Sequence, residues 1–441
     1  MDDLLWARWL FGTSLAFHIV FAAVGVAMPL MMVAAEWRWR RTGDPAWGEV
    51  ARRWAKGTAI LFAVGAVSGT VIAFELGLLW PAFMRFAGGI IGMPFSLEGF
   101  AFFTEAIFLG IYLYGWERVS PRVHLVSGLL VAASGATSAF FVTLANGWMN
   151  RPSGFALAGG APVEVDPLAA MFSPGWAEQV VHVLLSCYAA TGFAVAGIHA
   201  FFLRRQPASG FPCRFHRRAL SAALLVGGAA ALLQPLSGDF SARRVARAQP
   251  AKLAALEGQF ATERGAPLRI GGLPDVEARR TRWALEIRYG LSLLAFHDPT
   301  AEVKGLEAFP REEWPDPVKV HLAFQAMVGA GSAMALVALW GLFRALRRRE
   351  LPAGRGFLLA VTLAGPLGFV ALEAGWLVTE WGRQPFAIQG VLRTADSVTS
   401  VRGLAAPFWL FTALYVFLGA VTAVLLWRQI LHAPRGEEGS P

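Results

Sequence analysis

The chain has 441 residues, 56% of them hydrophobic and only 16% charged. That balance excludes an ordinary soluble globular protein and points to an integral membrane protein. The formal net charge of +9 does not argue for nucleic acid, because the basic residues sit in short loops between apolar runs and read as topology signals.

Nine apolar runs reach spanning length, at roughly 10–35, 55–80, 97–117, 122–147, 178–203, 217–236, 319–344, 356–381 and 404–430. Inside lipid every backbone polar group needs an internal partner, so these runs must be helices. Their length and unbroken hydrophobicity argue against a β-barrel. The expected fold is an all-α polytopic membrane protein with about nine transmembrane helices. The first run is long enough to span, so nothing at the N-terminus resembles a cleaved signal. Cys187 falls in an apolar run and Cys213 in a basic loop, which predicts neither a disulfide framework nor a thiolate metal site.

The loops predict an orientation. The first carries Arg38, Arg40, Arg41, Arg52, Arg53 and Lys56, and the third Arg118 and Arg122. The fifth carries Arg204, Arg205, Arg214, Arg217 and Arg218, and the seventh Arg344, Arg347, Arg348, Arg349 and Arg355. The second and fourth have only Arg85 and Arg151. Alternate loops are therefore basic and cytoplasmic, with the N-terminus outside and the C-terminus inside. The expected organisation is helices one to six over 1–236, an outer connection over 237–318, helices seven to nine over 319–430 and a cytoplasmic tail over 431–441. A polar connection as long as 237–318 is usually functional or disordered. Within it, Gln249 to Gly258 reads as a short amphipathic helix near the membrane surface. Lys252 and Glu257 would then meet a ligand arriving from the lipid; the alternative is a solvated surface helix.

The intramembrane polar residues carry the functional signal. They are His18 in the first span, Glu75 in the second, Glu98 and Glu105 in the third, His182 in the fifth, Met327 in the seventh and Glu373 in the eighth. The orientation above puts all of them in the outer half of the bilayer. Singly, such residues serve as interhelical hydrogen bonds or packing. Together, histidine, methionine and carboxylate without thiolates suit haem iron better than a zinc or copper cage. A His–Met pair makes a low-spin electron-transfer site, whereas a single His or Glu leaves a coordination position open for oxygen. Glu98 and Glu105 share one helix face, as a proton relay or as two interhelical hydrogen bonds. Glu373 is costly as a bare charge in an apolar helix, so it is either a protonated, hydrogen-bonded side chain or a metal or proton site. Arg383, where that helix should meet water, is placed to hold an anion.

Several motifs resemble subunit I of the cytochrome bd-type quinol oxidases over nearly the whole chain. They are Glu373-Ala-Gly-Trp376 with Glu380-Trp-Gly-Arg-Gln-Pro385, Ala145-Asn-Gly-Trp-Met149, Ser96-Leu-Glu-Gly99 and Lys252-Leu-Ala-Ala-Leu-Glu257. The resemblance implies three haems. His182 and Met327 would ligate a low-spin haem b, while His18 and Glu373 would ligate a high-spin haem b and a haem d, or a third haem b in its place. It also implies that Glu98 and Glu105 lie on the proton route to the oxygen site and that Lys252 and Glu257 bind quinol. The implied activity is quinol oxidation coupled to reduction of dioxygen to water, generating proton motive force without pumping. The implied partners are a subunit II, small single-span subunits, membrane quinol, dioxygen and the lipid bilayer, with no nucleic acid. The implied location is the bacterial inner membrane. The chain departs from the family at Phe386, often Trp in relatives, and at Gln325, where some relatives have Arg. The outer connection is of the short kind. Two other classes stay open: a b-type haem electron relay that oxidises quinol without reducing oxygen, and a proton-coupled transporter. A transporter predicts an inverted repeat or broken helices, and the sequence displays neither.

Overall fold

The computed structural model describes residues 3–205, 209–348 and 354–431. Among these residues, nine helical segments are long and apolar enough to cross a membrane, as the hydropathy pattern predicts. Arg349 and residues 432–441 of the expected tail lie outside the described residues.

In chain order the helices are α1 (Asp3–Thr42), α2 (Pro45–Leu79), α3 (Pro81–Tyr114), α4 (Pro121–Asn150), the short α5 (Pro167–Met171), α6 (Trp176–Arg205) and α7 (Phe211–Ala248). There follow the short α8 (Pro250–Glu257) and α9 (Gly290–Phe296), then α10 (Pro317–Arg348), α11 (Arg355–Ala364), α12 (Leu367–Trp381) and α13 (Ala405–Leu431).

Several helices outrun their apolar runs. The bilayer dictates which part of a helix must be apolar, but caps and prolines dictate where it starts. The Asp44 carboxylate accepts from the Ala46 N–H at 3.0 Å, with Pro45 at the first helical position, so α2 begins well before its apolar run. Ser120 and Pro121 do the same for α4. The stretch around Arg85, expected as loop, is the first part of α3, entered at Pro81 and passing through Pro94. The sixth helix continues through Pro235 to Ala248, so the connection expected from 237 begins only after it.

The eighth span is in two pieces. Pro366 has no N–H to give the preceding turn, and α11 ends at Ala364 while α12 starts at Leu367. The sequence displays no obvious broken helix, yet here is one. Its role is packing: a Cβ on Gly197 would lie 2.9 Å from the Gly365 Cα, so the break lets two backbones meet.

α1 is the axis of the bundle. It packs against α2, α4, α6 and α13, and 56% of its apolar window is buried, against 11% for α2 and for α13. The outer helices therefore turn large apolar side chains such as Phe74, Leu78, Val416 and Trp427 outward, as lipid requires and water would not permit. α6, α7, α10 and α12 form a second group, each packed on the next. It crosses closely at Gly192, where a Cβ would lie 2.4 Å from the Gly227 Cα, and at Gly368, where one would lie 2.4 Å from the Ala190 Cα.

The connection between α7 and α10 is folded. It holds α8, α9 and three small antiparallel strand pairs: Glu263–Arg264 with Glu302–Val303, Leu268–Ile270 with Leu285–Ile287, and Leu273–Asp275 with Arg280–Arg282. α8 is not a solvated helix, because every residue from Lys252 to Glu257 is buried within the protein. Ala254, Ala255 and Leu256 pack with Phe260, Leu306, Val320 and Val378. His321 of α10 lies 2.8 Å from the Leu256 carbonyl and 3.1 Å from that of Gly271, which ties α8 and the connection to α10.

Candidate functional site

Two histidines are held in the form that ligates a metal. The Ser237 hydroxyl donates to the Gln234 carbonyl at 2.9 Å, so towards His182 Nδ1, also 2.9 Å away, it accepts. The proton is therefore on Nδ1 and the lone pair on Nε2, where the Gln234 amide caps it at 3.1 Å. His18 repeats the device. Ser68 donates to the Val64 carbonyl at 2.9 Å and accepts from His18 Nδ1 at 3.0 Å. That leaves the lone pair on His18 Nε2. A metal-ligating histidine needs this second-shell acceptor to fix its tautomer and orientation.

The other candidates are distributed as follows. Met327 of α10 faces α12, where a Cβ on Gly375 would lie 3.1 Å from its Sδ. His182 sits on α6 against α7, in the same four-helix group as Met327. Glu373 has a buried Oε1 with no partner. It lines an apolar cleft of about 710 Å³ between α10 and α12 with Leu322, Ala326, Val370 and Leu377. No residue of α1, the helix of His18, lines that cleft.

α1 serves as a ruler for the remaining polar groups. Near its start, Ser14 donates to Glu75 Oε1 at 2.8 Å and accepts from the Tyr415 hydroxyl at 2.9 Å. His18 is one turn further along. Gly25 faces Glu105, whose Oε1 would be 3.7 Å from a Cβ there. Gly25 lies near the midpoint of α1, so Glu105 is at the centre of the bundle. Ser138 donates to Glu98 at 3.2 Å, two turns from Glu105 on the same face.

Beyond His18 and Glu373, where α12 ends and α8 begins, the cations gather. Arg383 is only 2% exposed. Its Nη2 donates to Glu380 at 2.6 Å, while its Nε and Nη1 are buried without partners. Lys252 donates to the Asn150 side chain at 3.2 Å. Burial lowers the Lys252 ammonium to about 7, helped by Arg383 and Arg151 and opposed by Glu380. Burial raises the Glu257 carboxyl to about 7 against the attraction of Arg269. Buried guanidinium donors without partners call for an anion.

Three residues given no role by the sequence reading belong to this region. Glu380, quoted only as part of a motif, pairs with Arg383 and lies close enough to Arg8 of α1 to interact with it. Asn150 joins Lys252 and Gln249 to the end of α4. His321 anchors α8, and its two carbonyl partners come from segments far apart in sequence, so no local pattern points to it. Gln325, where some relatives have Arg, braces the connection from α10. It accepts from the Gly271 N–H at 2.9 Å and donates to the Arg269 carbonyl at 3.0 Å, fixing the strand that carries Arg269.

The donor set fits haem. It offers imidazole lone pairs with fixed tautomers, a thioether, carboxylates, and buried guanidinium and ammonium groups of the kind that hold carboxylate substituents. At His182 the Gln234 amide must swing aside to free Nε2.

Relatives agree with this chemistry. A Bacillus subtilis (strain 168) protein named putative cytochrome bd menaquinol oxidase subunit I is 40% identical over 440 residues, covering 99% of each chain. Cytochrome bd-II ubiquinol oxidase subunit 1 of Escherichia coli (strain K12) is 28% identical, covering 97% of this chain and 96% of its own. The solved structure of bd oxidase from Geobacillus thermodenitrificans matches with a TM-score of 0.90 at 39% identity, covering 97% of this chain and 98% of that one. The family described as cytochrome bd terminal oxidase subunit I matches residues 6–434. A match of that extent takes in every span: this chain belongs to the cytochrome bd terminal oxidase subunit I family, and it is a haem-containing multi-pass membrane subunit of a quinol oxidase.

Proposed function

We propose that His182 and Met327 hold a low-spin haem b, and that His18 and a carboxylate of α12 hold two high-spin haems, one b-type and one haem d or a third haem b. The observation that carries this reading is the pair of serine-oriented histidines, His18 with Ser68 and His182 with Ser237. When bound, haem supplies one-electron chemistry and, where an axial position stays open, a site for dioxygen. A reduced-minus-oxidised spectrum of the purified oxidase tests the assignment. One low-spin and two high-spin signals are expected, and a single haem species would overturn it.

The α12 carboxylate is Glu373 by the motif reading, supported by its buried, unpartnered oxygen. A second reading assigns it to Glu380. It is favoured by the closeness of Glu380 to Arg8 of α1, since α1 carries His18 while the cleft beside Glu373 borrows nothing from that helix. Arg383 would hold an anionic haem substituent in either case.

Lys252 and Glu257 orient membrane quinol and receive its protons. Glu98 and Glu105 pass protons to the oxygen site from the other face, so charge separates across the bilayer without a pump. The orientation is N-terminus outside and C-terminus cytoplasmic, with the α7–α10 connection outside, in a bacterial inner membrane. A subunit II completes the enzyme, with small single-span subunits beside it. The quinol-binding connection then lies between a helical part that ends at Ala248 and a second that begins at Pro317, with the tail after it.

The buried pair gives this quinol site a pH dependence. Glu257, held at about 7, already carries a proton below that pH and accepts one only above it. Lys252, also at about 7, is a cation below and neutral above. Quinol oxidation should therefore rise as pH increases through about 7, and Glu257→Gln should remove that rise. Lys252→Ala should lower the rate while all haem spectra stay near normal. Steady-state quinol kinetics unchanged in both variants would move the quinol elsewhere.

A further inference from the structure

At the far end of α1 from Lys252 lies a buried ionisable cluster with no part in the chemistry above. Glu36, His124 and Tyr112 are each 0% exposed. His124 Nε2 is 2.9 Å from the Tyr112 carbonyl, which only accepts, so Nε2 carries a hydrogen. His124 Nδ1 is 2.8 Å from Glu36 Oε1, which leaves one proton held between imidazole and carboxylate. Arg40 donates to the same oxygen at 2.7 Å. The opposite oxygen, Glu36 Oε2, and the Tyr112 hydroxyl are both buried and lie against each other, with no other hydrogen-bond partner among the described residues.

A pair that only tied α1 to α4 would use its polar atoms on each other. Here the second carboxylate oxygen is turned to the Tyr112 hydroxyl of α3, and neither has a further partner among the described residues. Tyr112 and Glu105 are seven residues apart on α3, hence on one face and about 10 Å apart along the helix. The stretch between them is lined by glycines. A Cβ on Gly128 would lie 2.7 Å from the Tyr112 ring, and one on Gly135 would lie 3.4 Å from both Glu105 oxygens. Glu98, Glu105 and Tyr112 thus recur every seven residues along α3, and Glu36 and His124 close the line.

From this geometry we infer that the Glu36–His124 pair, acting through the Tyr112 hydroxyl, is the proton-loading end of the Glu105–Glu98 route; the inference rests on that route being the one proposed above. The pair gives its shared proton to the Tyr112 oxygen as the hydroxyl proton moves on, through bridging water, to Glu105. The pair then takes a new proton from the aqueous side and Tyr112 ends as it began. The charged and titratable groups facing the pair are Arg40 of α1, Tyr112 of α3 and Arg52 of α2, which stacks at 4.6 Å on Trp116, itself 4.3 Å from His124.

The test uses the complete oxidase, fully reduced and mixed with oxygen in the presence of a pH dye. Proton uptake is followed beside the haem spectrum and the rate of anaerobic haem reduction by quinol. Tyr112→Phe removes only the hydroxyl beside Glu36 Oε2 and leaves the hydrogen bonds of Glu36 to His124 and Arg40 in place, so it keeps the fold. It should slow proton uptake about tenfold with spectrum and anaerobic reduction unchanged, effects a structural tie would not produce. Glu36→Gln should slow it too and shift its pH profile, and Glu105→Gln should slow it in parallel. Wild-type uptake in Tyr112→Phe and Glu36→Gln, with Glu105→Gln slow, overturns the loading end and leaves the carboxylate route standing. Wild-type uptake in Glu105→Gln overturns the route, and the loading end with it.

Discussion

His182→Ala should abolish the low-spin haem band and bring quinol oxidation to the background rate. An axial imidazole has no substitute nearby: among the described residues Gln234 and Ser237 are the polar neighbours of the ring, and an amide or hydroxyl is a poor ligand for low-spin iron. Met327→Leu keeps the volume of the side chain and removes only the thioether, so it should lose the same band with little change in folding. Ser237→Ala provides the graded control. It leaves Nε2 in place but frees the ring to rotate or change tautomer, and second-shell losses of this kind cost about 10- to 100-fold in metal affinity or activity. The order expected in both band height and quinol oxidation is wild type, then Ser237→Ala, then Met327→Leu and His182→Ala at zero. An intact low-spin band in both ligand variants would remove His182 and Met327 as ligands. Because high-spin signals would persist in either case, a general collapse of the protein is distinguishable.

The parts of this architecture that were legible in the sequence are those dictated by the solvent. Nine spans follow from the cost of exposing backbone polar groups to lipid, and no residue outside a run is needed to see them. Where the helices stop was less legible. Asp44, Ser120 and Pro81 are ordinary cap signals, but a hydropathy window ends where polarity begins and so loses the helical turns that stand in water. α8 misled for a related reason. Lys252 and Glu257 look like the polar face of a surface helix, and only tertiary packing buries both: Lys252 lies against Asn150 of α4 and Gly382 at the end of α12, and Glu257 faces Arg269 of the connection that Gln325 braces. The candidate site was legible as a list of polar residues in apolar helices. Which of them meet was not. Ser68 lies 50 residues from His18, and Ser237 lies 55 from His182. An intramembrane serine is too common to announce such a role without the packing of α2 on α1 and α7 on α6.

The oxygen site should stall when the carboxylate ligand on α12 is lost. A carboxylate buried in an apolar helix is unstable as a bare charge, and a cation must lie against it or a proton must occupy it. Glu373 has no such cation among its described partners, and its Oε1 is unpaired. Glu380 has the Arg383 guanidinium against it at 2.6 Å, and Arg8, on the helix of His18, is close enough to interact with it. The two sites predict opposite outcomes from matched isosteric changes. Each variant, Glu373→Gln and Glu380→Gln, is mixed anaerobically with quinol while the low-spin band is recorded, then given oxygen while reoxidation is followed. In the variant that loses the ligand, the low-spin band should still reduce at the wild-type rate, one high-spin signal should be lost or altered, and reoxidation should fall by a hundredfold or more, on the order of 3 kcal/mol of lost transition-state stabilisation. His18→Ala should give the same stall through the other high-spin signal, because oxygen chemistry needs both. A stall in Glu373→Gln alone makes the orphaned carboxylate the ligand. A stall in Glu380→Gln alone makes Glu373 a protonated side chain lining the α10–α12 cleft, and moves the oxygen site about two turns along α12, towards Arg8 and Arg383. Wild-type reoxidation in both, with both high-spin signals intact, would leave α12 without a ligand and end the assignment of the second high-spin haem to this helix.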